Sequence, residues 1–271
     1  MTTVGTRAWT RTEPPARPAP AATLRAEWVK LWTVRSTPWS LVALFVLGAG
    51  LTTLVCALSV AALARGDVGE PVGAFVTWGM MVAQVCAVVL GALVVTSEYG
   101  TGMIRATLAA TPRRGSVLAA KAVVLTSTLS VAGTLTALAG YLGGNWFLDR
   151  EGIGLALTDD GVLRSIVGSG LYLAGLGLFA AAVGLLVRHT AAALSIVLGL
   201  VFVVGPMVGL LPGAWGEWTA KLAPGNAGSA IATPESFNPL LLDPWVGFAV
   251  FLAEVAAVLA VAAVAFTRRD A

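Results

Sequence analysis

Residues 39–64 read WSLVALFVLGAGLTTLVCALSVAALA, a run of 26 positions without one charged side chain. A helix needs about 20 predominantly apolar residues to cross a hydrocarbon core about 30 Å thick, and this run exceeds that. It is continuously apolar rather than alternating over about ten residues, so it predicts a helix and not a barrel strand. Ala62-Leu63-Ala64 has the small-residue pattern of a cleavage site. A secretory signal, though, has an apolar stretch of only about 7–15 residues close to the start of the chain. The run is therefore expected to stay as a membrane span.

Five further segments downstream have the same character, at about 73–97, 116–142, 163–187, 191–211 and 245–266. The fourth and fifth are separated only by Arg188-His189 and its flanks, which predicts a tight helical hairpin. The whole composition agrees. Of 271 residues, 57% are hydrophobic and 11% are charged, with a mean hydropathy of +0.85. Soluble domains carry roughly 25% charged residues. The fold class expected is an all-α integral membrane protein with six transmembrane helices, occupying residues 39–266.

The charges set a topology. Placing both ends of the chain on one side puts thirteen of the seventeen Lys and Arg residues there, leaving Arg65, Arg150, Arg164 and Lys221 on the other. By the positive-inside rule that richer side is the cytoplasm, which predicts a multi-pass protein of the cell membrane with both termini cytoplasmic. The net charge of +3 is spread beside apolar runs rather than along one polar face, so a nucleic-acid partner is not expected. One His and two Cys, with no C-x-x-C pair, predict neither a metal site nor a disulfide framework. Cys56 and Cys86 read as small apolar residues within spans.

Residues 1–21, rich in Pro, Ala, Thr and Arg, are expected to be a disordered cytoplasmic tail. Residues 22–37 differ. Leu24, Trp28, Leu31 and Trp32 recur at helical spacing, while Arg25, Lys30 and Arg35 take other faces. That pattern predicts an amphipathic helix lying along the lipid headgroups, its cations toward phosphate. Pro38 would then turn the chain into the first span. Membrane lipid is a partner on this reading.

The connection between the second and third spans is SEYGTGMIRATLAATPRRGSVLAAK, residues 97–121. Glu98 stands at the end of a span, and a short helix with Met103, Ile104 and Leu108 on one side stops near Pro112. Arg113, Arg114 and Lys121 follow. Taken alone, this is either an interfacial loop that satisfies charge topology or a shaped docking element, and Gly100, Gly102 and Thr111-Pro112-Arg113-Arg114 specify more shape than topology needs.

The run Glu98-Tyr99-Gly100-Thr101-Gly102-Met103-Ile104-Arg105, with Thr111-Pro112-Arg113-Arg114 and Lys121, resembles the cytoplasmic segment of ABC-2 type transporter permeases. The likeness extends to an N-terminal interfacial elbow helix, six spans and a long external loop at 212–244. It implies that segment 98–115 is the coupling segment docking on an ATP-binding-cassette ATPase subunit. The coupling role then falls to Glu98, Tyr99, Gly100, Thr101, Gly102, Met103, Ile104, Arg105, Pro112, Arg113 and Arg114. The resemblance further implies a second permease chain, as a homodimer, and short re-entrant helices in the external loop. The resemblance implies export, and a pathway lined by Ala, Val, Leu and Gly suits a hydrophobic or amphipathic compound as the cargo. No cofactor is expected on this chain, ATP and Mg belonging to the partner subunit.

Two polar residues at membrane depth are candidates for a translocation path. Glu254 lies about ten residues into the sixth span, where an ionised carboxylate in hydrocarbon costs about 2.5–3.5 kcal/mol even on gentle scales. Gln84 lies in the second span, where interhelical hydrogen bonding is the competing reading. His189 reads as a solvated turn residue. Gly140/Gly144 and Gly205/Gly209 have the spacing that lets helices approach closely. No G-x-x-x-x-G-K-[ST] loop, G-x-S-x-G elbow or H-E-x-x-H motif occurs, so no catalytic residue is assigned and the chain is not read as an enzyme. A non-transporting membrane anchor or immunity-type interaction protein, and an ATP-independent secondary transporter, remain alternatives.

Overall fold

A computed structural model describes residues 20–110, 113–235 and 241–268. Of the tail expected at 1–21, Pro20 and Ala21 belong instead to the first helix; residues 1–19, Pro112, Phe237 and the last residues 269–271 lie outside the described residues, as do the side chains of Arg105 and Leu108. Within them the chain is helical and contains six helices long and apolar enough to cross a membrane. The elements run α1 (Pro20–Thr33), α2 (Ser36–Arg65), α3 (Val72–Phe75), α4 (Met80–Gly100), α5 (Met103–Ala110), α6 (Arg114–Arg150) and α7 (Val162–Val187). There follow α8 (Thr190–Leu198), a π-helical segment (Gly199–Val204), α9 (Gly205–Val208), α10 (Ala214–Lys221), α11 (Pro224–Ser229) and α12 (Pro244–Arg268).

Helix α7 is the centre of the bundle, packed by α4, α6 and α12. Its apolar stretch is 78% buried, against 22% for the fifth and sixth spans, which therefore form the periphery. Small residues make that possible. Gly91 of α4 crosses Gly177 of α7 so closely that a Cβ on Gly91 would overlap the Gly177 carbonyl. On the other flank, a Cβ on Gly140 or Gly144 of α6 would stand 3.0 Å from Thr52 Cβ or 2.7 Å from Cys56 Sγ of α2. The Gly140/Gly144 spacing is thus used for helix packing. A Cβ on Gly205 would meet Ala223 and the Leu200 carbonyl at ordinary distances of 3.6 and 3.7 Å, so Gly205 makes no such close approach.

The spans depart from their expected outlines at three places. The second begins as α3, breaks over residues 76–79 and resumes as α4. The break falls where Gly79 abuts the Gly48 carbonyl of α2. There the Gly79 amide, left without an intrahelical acceptor, donates to Thr52 Oγ1 at 2.9 Å. The third span continues past Leu142 to Arg150. Its polar last turns are stabilised by their own contacts, with Leu155 N donating to Asn145 Oδ1 at 2.8 Å and the Arg150 guanidinium 3.6 Å over the Trp146 ring. The fifth span carries the π-helical segment and ends at Val208 rather than 211. At the hairpin between the fourth and fifth spans, Arg188 adopts a left-handed φ of 56° as the α7 cap. His189 is the α8 N-cap, accepting from the Ala192 amide at 3.3 Å.

Candidate functional site

The clearest polar construction is a four-charge cluster at the end of the bundle that carries α1 and α5. Helix α1 buries Thr23, Glu27 and Leu31, a stripe of period four, against α6. Helix α4 delivers Glu98 from its last turns, and α6 delivers Lys121 two turns from its start. Lys121 Nζ donates to Glu27 Oε2 at 2.8 Å, to Glu98 Oε1 at 3.0 Å and to the Val94 carbonyl at 3.2 Å. Lys30 Nζ donates to Glu27 Oε1 at 2.6 Å, to Glu98 Oε1 at 3.2 Å and to Thr107 Oγ1 of α5 at 3.1 Å. All three protons of each ammonium have an acceptor. Four helices are joined.

Burial makes this arrangement consequential. The Glu27 and Glu98 side chains are 4% exposed and Lys121 is 9% exposed. Such charges are tolerated away from water only when paired and hydrogen-bonded. The second Glu98 oxygen is buried and without a partner among the described residues, and Glu98 is one of the residues lining a cavity of about 30 Å³, a volume that accepts about two waters.

Two of the four charges lie outside the spans and their titration follows from the contacts. Burial works to raise the Glu27 carboxyl, but the Lys121 charge and the hydrogen bonds from Lys121 and Lys30 outweigh it and hold it below 4.5. Burial likewise works to lower Lys30, and its bond to Glu27 and the Glu98 charge outweigh that, holding it above 10.5. The Glu27 contribution to stability is therefore present above pH 4.5 and lost as pH falls through its lower folded value. The Lys30 contribution is complete below pH 10.5 and lost only as pH rises beyond it. Melting temperature in detergent micelles should decline on the acid side of pH 4.5, and Glu27→Gln should flatten that decline. An acid-side decline unchanged in Glu27→Gln would show that the cluster does not titrate this way.

The expectation that Lys30 points to lipid phosphate is corrected. Lys30 turns inward because two buried carboxylates attract it more strongly than a hydrated headgroup, while Arg25, Arg35, Trp28 and Trp32 are exposed. Glu27, which carries half the negative charge of the cluster, had no sequence signal beyond its place in α1. Neither did Thr107.

The remaining residues of the 98–115 segment separate into two groups. Tyr99 is half-buried under the Arg188 guanidinium, 5.1 Å from its ring centroid, and Ile104 is buried. Gly100, Thr101, Gly102, Met103 and Arg113 are exposed. Gly102 has a φ of 70°, the left-handed turn that sends α5 off from α4 and that favours glycine. Arg105 lies on α5. Arg114 is engaged differently: its guanidinium donates to the Phe266 carbonyl at 2.9 Å, which caps the C-terminus of α12, where a cation is favoured.

Of the two residues at membrane depth, Gln84 is buried and accepts from the Tyr172 hydroxyl at 2.7 Å, an α4–α7 hydrogen bond. The Tyr172 ring packs on Phe251 of α12 with centroids 5.5 Å apart. Glu254 stands one turn further along α12, half-buried, with one carboxyl oxygen buried and unpartnered among the described residues. Among the described residues no group of three or more His, Cys, Asp or Glu is placed to hold a metal ion. No family model matches this sequence, and no curated protein matches it either.

Proposed function

We propose that this chain is the permease subunit of an ATP-binding-cassette exporter of the ABC-2 type. On this reading it works as a homodimer with two separate ATP-binding subunits and moves a hydrophobic or amphipathic compound across the cell membrane. The observation that carries the proposal is the join between an exposed helix and the spans. Helix α5 and its flanks offer Thr101, Gly102, Met103 and Arg113 outward, while Thr107 and Glu98 fasten the same segment to α1 and α6 through buried charge. A push delivered to α5 by a partner that changes shape would reach three other helices through contacts under 3.3 Å. Coupling of this kind requires the partner to interact differently with two arrangements of the helices.

In this arrangement α1 serves as the elbow helix at the cytoplasmic interface, and the end bearing α1 and α5 faces the cytoplasm. Glu98, Tyr99 and Ile104 shape and fasten the coupling segment, and Arg113 meets the ATPase. Arg114 belongs to the bundle instead. Gln84 is structural, and Glu254 is the remaining candidate on the translocation path.

The test uses an ATP-binding-cassette ATPase, sought in the reading frames that neighbour the chain's own. Arg113→Glu should reduce its co-purification at least tenfold while the variant still inserts and elutes as a single species. Arg114→Glu should weaken the bundle itself, seen as a lower melting temperature. Undiminished association and stimulated ATP hydrolysis with Arg113→Glu would remove the assignment.

A further inference from the structure

We propose that the π-helical segment Gly199–Val204 is a hinge, about which the end of the fifth span and helix α10 swing relative to α8. This needs no transport activity and stands apart from the reading above.

The first observation is the hydrogen-bond register. The Gly205 amide donates to the Leu200 carbonyl, five residues back, the signature of a π turn. For the π pattern to continue, residue 206 would have to donate to Val201. Residue 206 is proline and has no N–H, so the wide turns must stop there. A stretch of poorer hydrogen-bond geometry is thus closed off on one side by a residue that cannot extend it. Sharp bends in helices occur at such features: π turns, proline and glycine. All three coincide within residues 199–206.

The second observation is how the two sides of the segment are held. Below it, α8 is fastened to the bundle. Ala193 and Val197 are buried, Thr190 donates to Thr96 of α4 at 2.7 Å, and α8 packs on both α4 and α7. Beyond it, among the described residues, α9 and α10 pack mainly on the π segment, one another and α11. The tie to α11 is made at one end of α10, where Asn226 Nδ2 donates to the carbonyl of the buried Ala220 at 2.9 Å, while Gly205 of α9 meets Ala223 at 3.6 Å when given a Cβ. Val203, Val204, Met207, Leu210 and Trp215 are exposed. The π segment therefore sits on the boundary between a well-packed helix and an arm that is exposed along most of residues 203–215 and tied at its Ala220 end.

A bend of about 20° acting over the roughly 15 Å from the segment to the start of α10 moves that start, beside Trp215, by about 5 Å. The arm ends in Trp215 and Trp218, with Lys221 at 5.5 Å from the Trp218 ring. Aromatic and cationic side chains of this kind favour a membrane–water interface. Swinging along that interface keeps them in the same environment, so the motion is not opposed by transfer of Trp or Lys into hydrocarbon.

The experiment measures distances between spin labels in the full chain in lipid nanodiscs, with Cys56 and Cys86 replaced by Ala. Val131, exposed on α6, is the fixed reference. One pair joins it to Ile196 on α8 and the other to Trp215 on α10, both exposed positions. The Ile196 pair should give one narrow distance. The Trp215 pair should give a distribution broader by about 5 Å or split in two. Stiffening by Gly199→Ala, Gly205→Ala and Pro206→Ala together should collapse the Trp215 distribution to one distance. The two glycine substitutions are sterically open, since nothing lies within 4 Å of a Cβ at Gly199 and only ordinary contacts surround one at Gly205. A Trp215 distance as narrow as that of Ile196 would overturn the hinge. So would a broad distribution that the triple variant leaves unchanged, because the motion would then arise elsewhere.

Discussion

Lys121→Met should lower the stability of the folded chain by about 3–5 kcal/mol, the range found when one member of a buried ion pair is removed. Lys121 is the donor at the centre of the cluster, its ammonium bonded to Glu27, Glu98 and the Val94 carbonyl. Methionine fills a similar volume but supplies none of those protons. Two carboxylates at 4% exposure are then left with Lys30 alone. Unfolding is read by a thiol-reactive dye at the fully buried Cys56. The exposed pair Arg65–Asp67, 65% and 58% exposed, is the control, and Arg65→Ala should cost no more than about 1 kcal/mol. The deficit of Lys121→Met should narrow as pH falls, since neutral carboxyls tolerate burial better than charged ones. The double variant Lys121→Met/Glu98→Gln should recover part of the loss, because it removes one of the orphaned charges. A Lys121→Met protein that melts with the wild type across pH would mean the cluster contributes nothing.

That cluster also marks the limit of what the sequence discloses. The six spans are legible because hydrocarbon requires long uncharged helices, and residues such as 39–64 satisfy the requirement without help from the rest of the chain. The 98–121 segment is legible as a shaped element because Gly102 and the Pro112 stop act locally. Glu27 is different. It lies in a helix whose Trp and Leu residues suggest a lipid-facing stripe, and the cation that buries it is 94 residues away. No periodicity within α1 reports a partner on α6. Arg114 is legible as a charge but not as a cap, because Phe266 and Thr267 reach it only after four spans, the third to the sixth, have folded. The break at 76–79 has the same origin, since Gly48 on the preceding helix imposes it.

The crossing of α4 and α7 gives the second large effect. Gly91→Ala should destabilise by about 3 kcal/mol, the upper part of the range for overpacking. The reason is the identity of the obstacle. A Cβ at Gly91 would overlap the backbone carbonyl of Gly177, with the Gly177 Cα next to it, and a backbone cannot rotate away as a side chain does. At Gly177 the nearest atom is Leu129 Cδ1, the far end of a flexible side chain, so Gly177→Ala should cost less than Gly91→Ala. Gly50→Ala, in the middle of α2 with nothing within 4 Å, should be neutral or stabilising by up to about 1 kcal/mol, because alanine is the better helix former. The order Gly91, Gly177, Gly50 is set by what each methyl would strike, not by composition or depth, as all three are glycines within spans. If the three variants melt together, α4 and α7 do not cross at Gly91, and the placement of α7 at the centre of the bundle loses its closest contact.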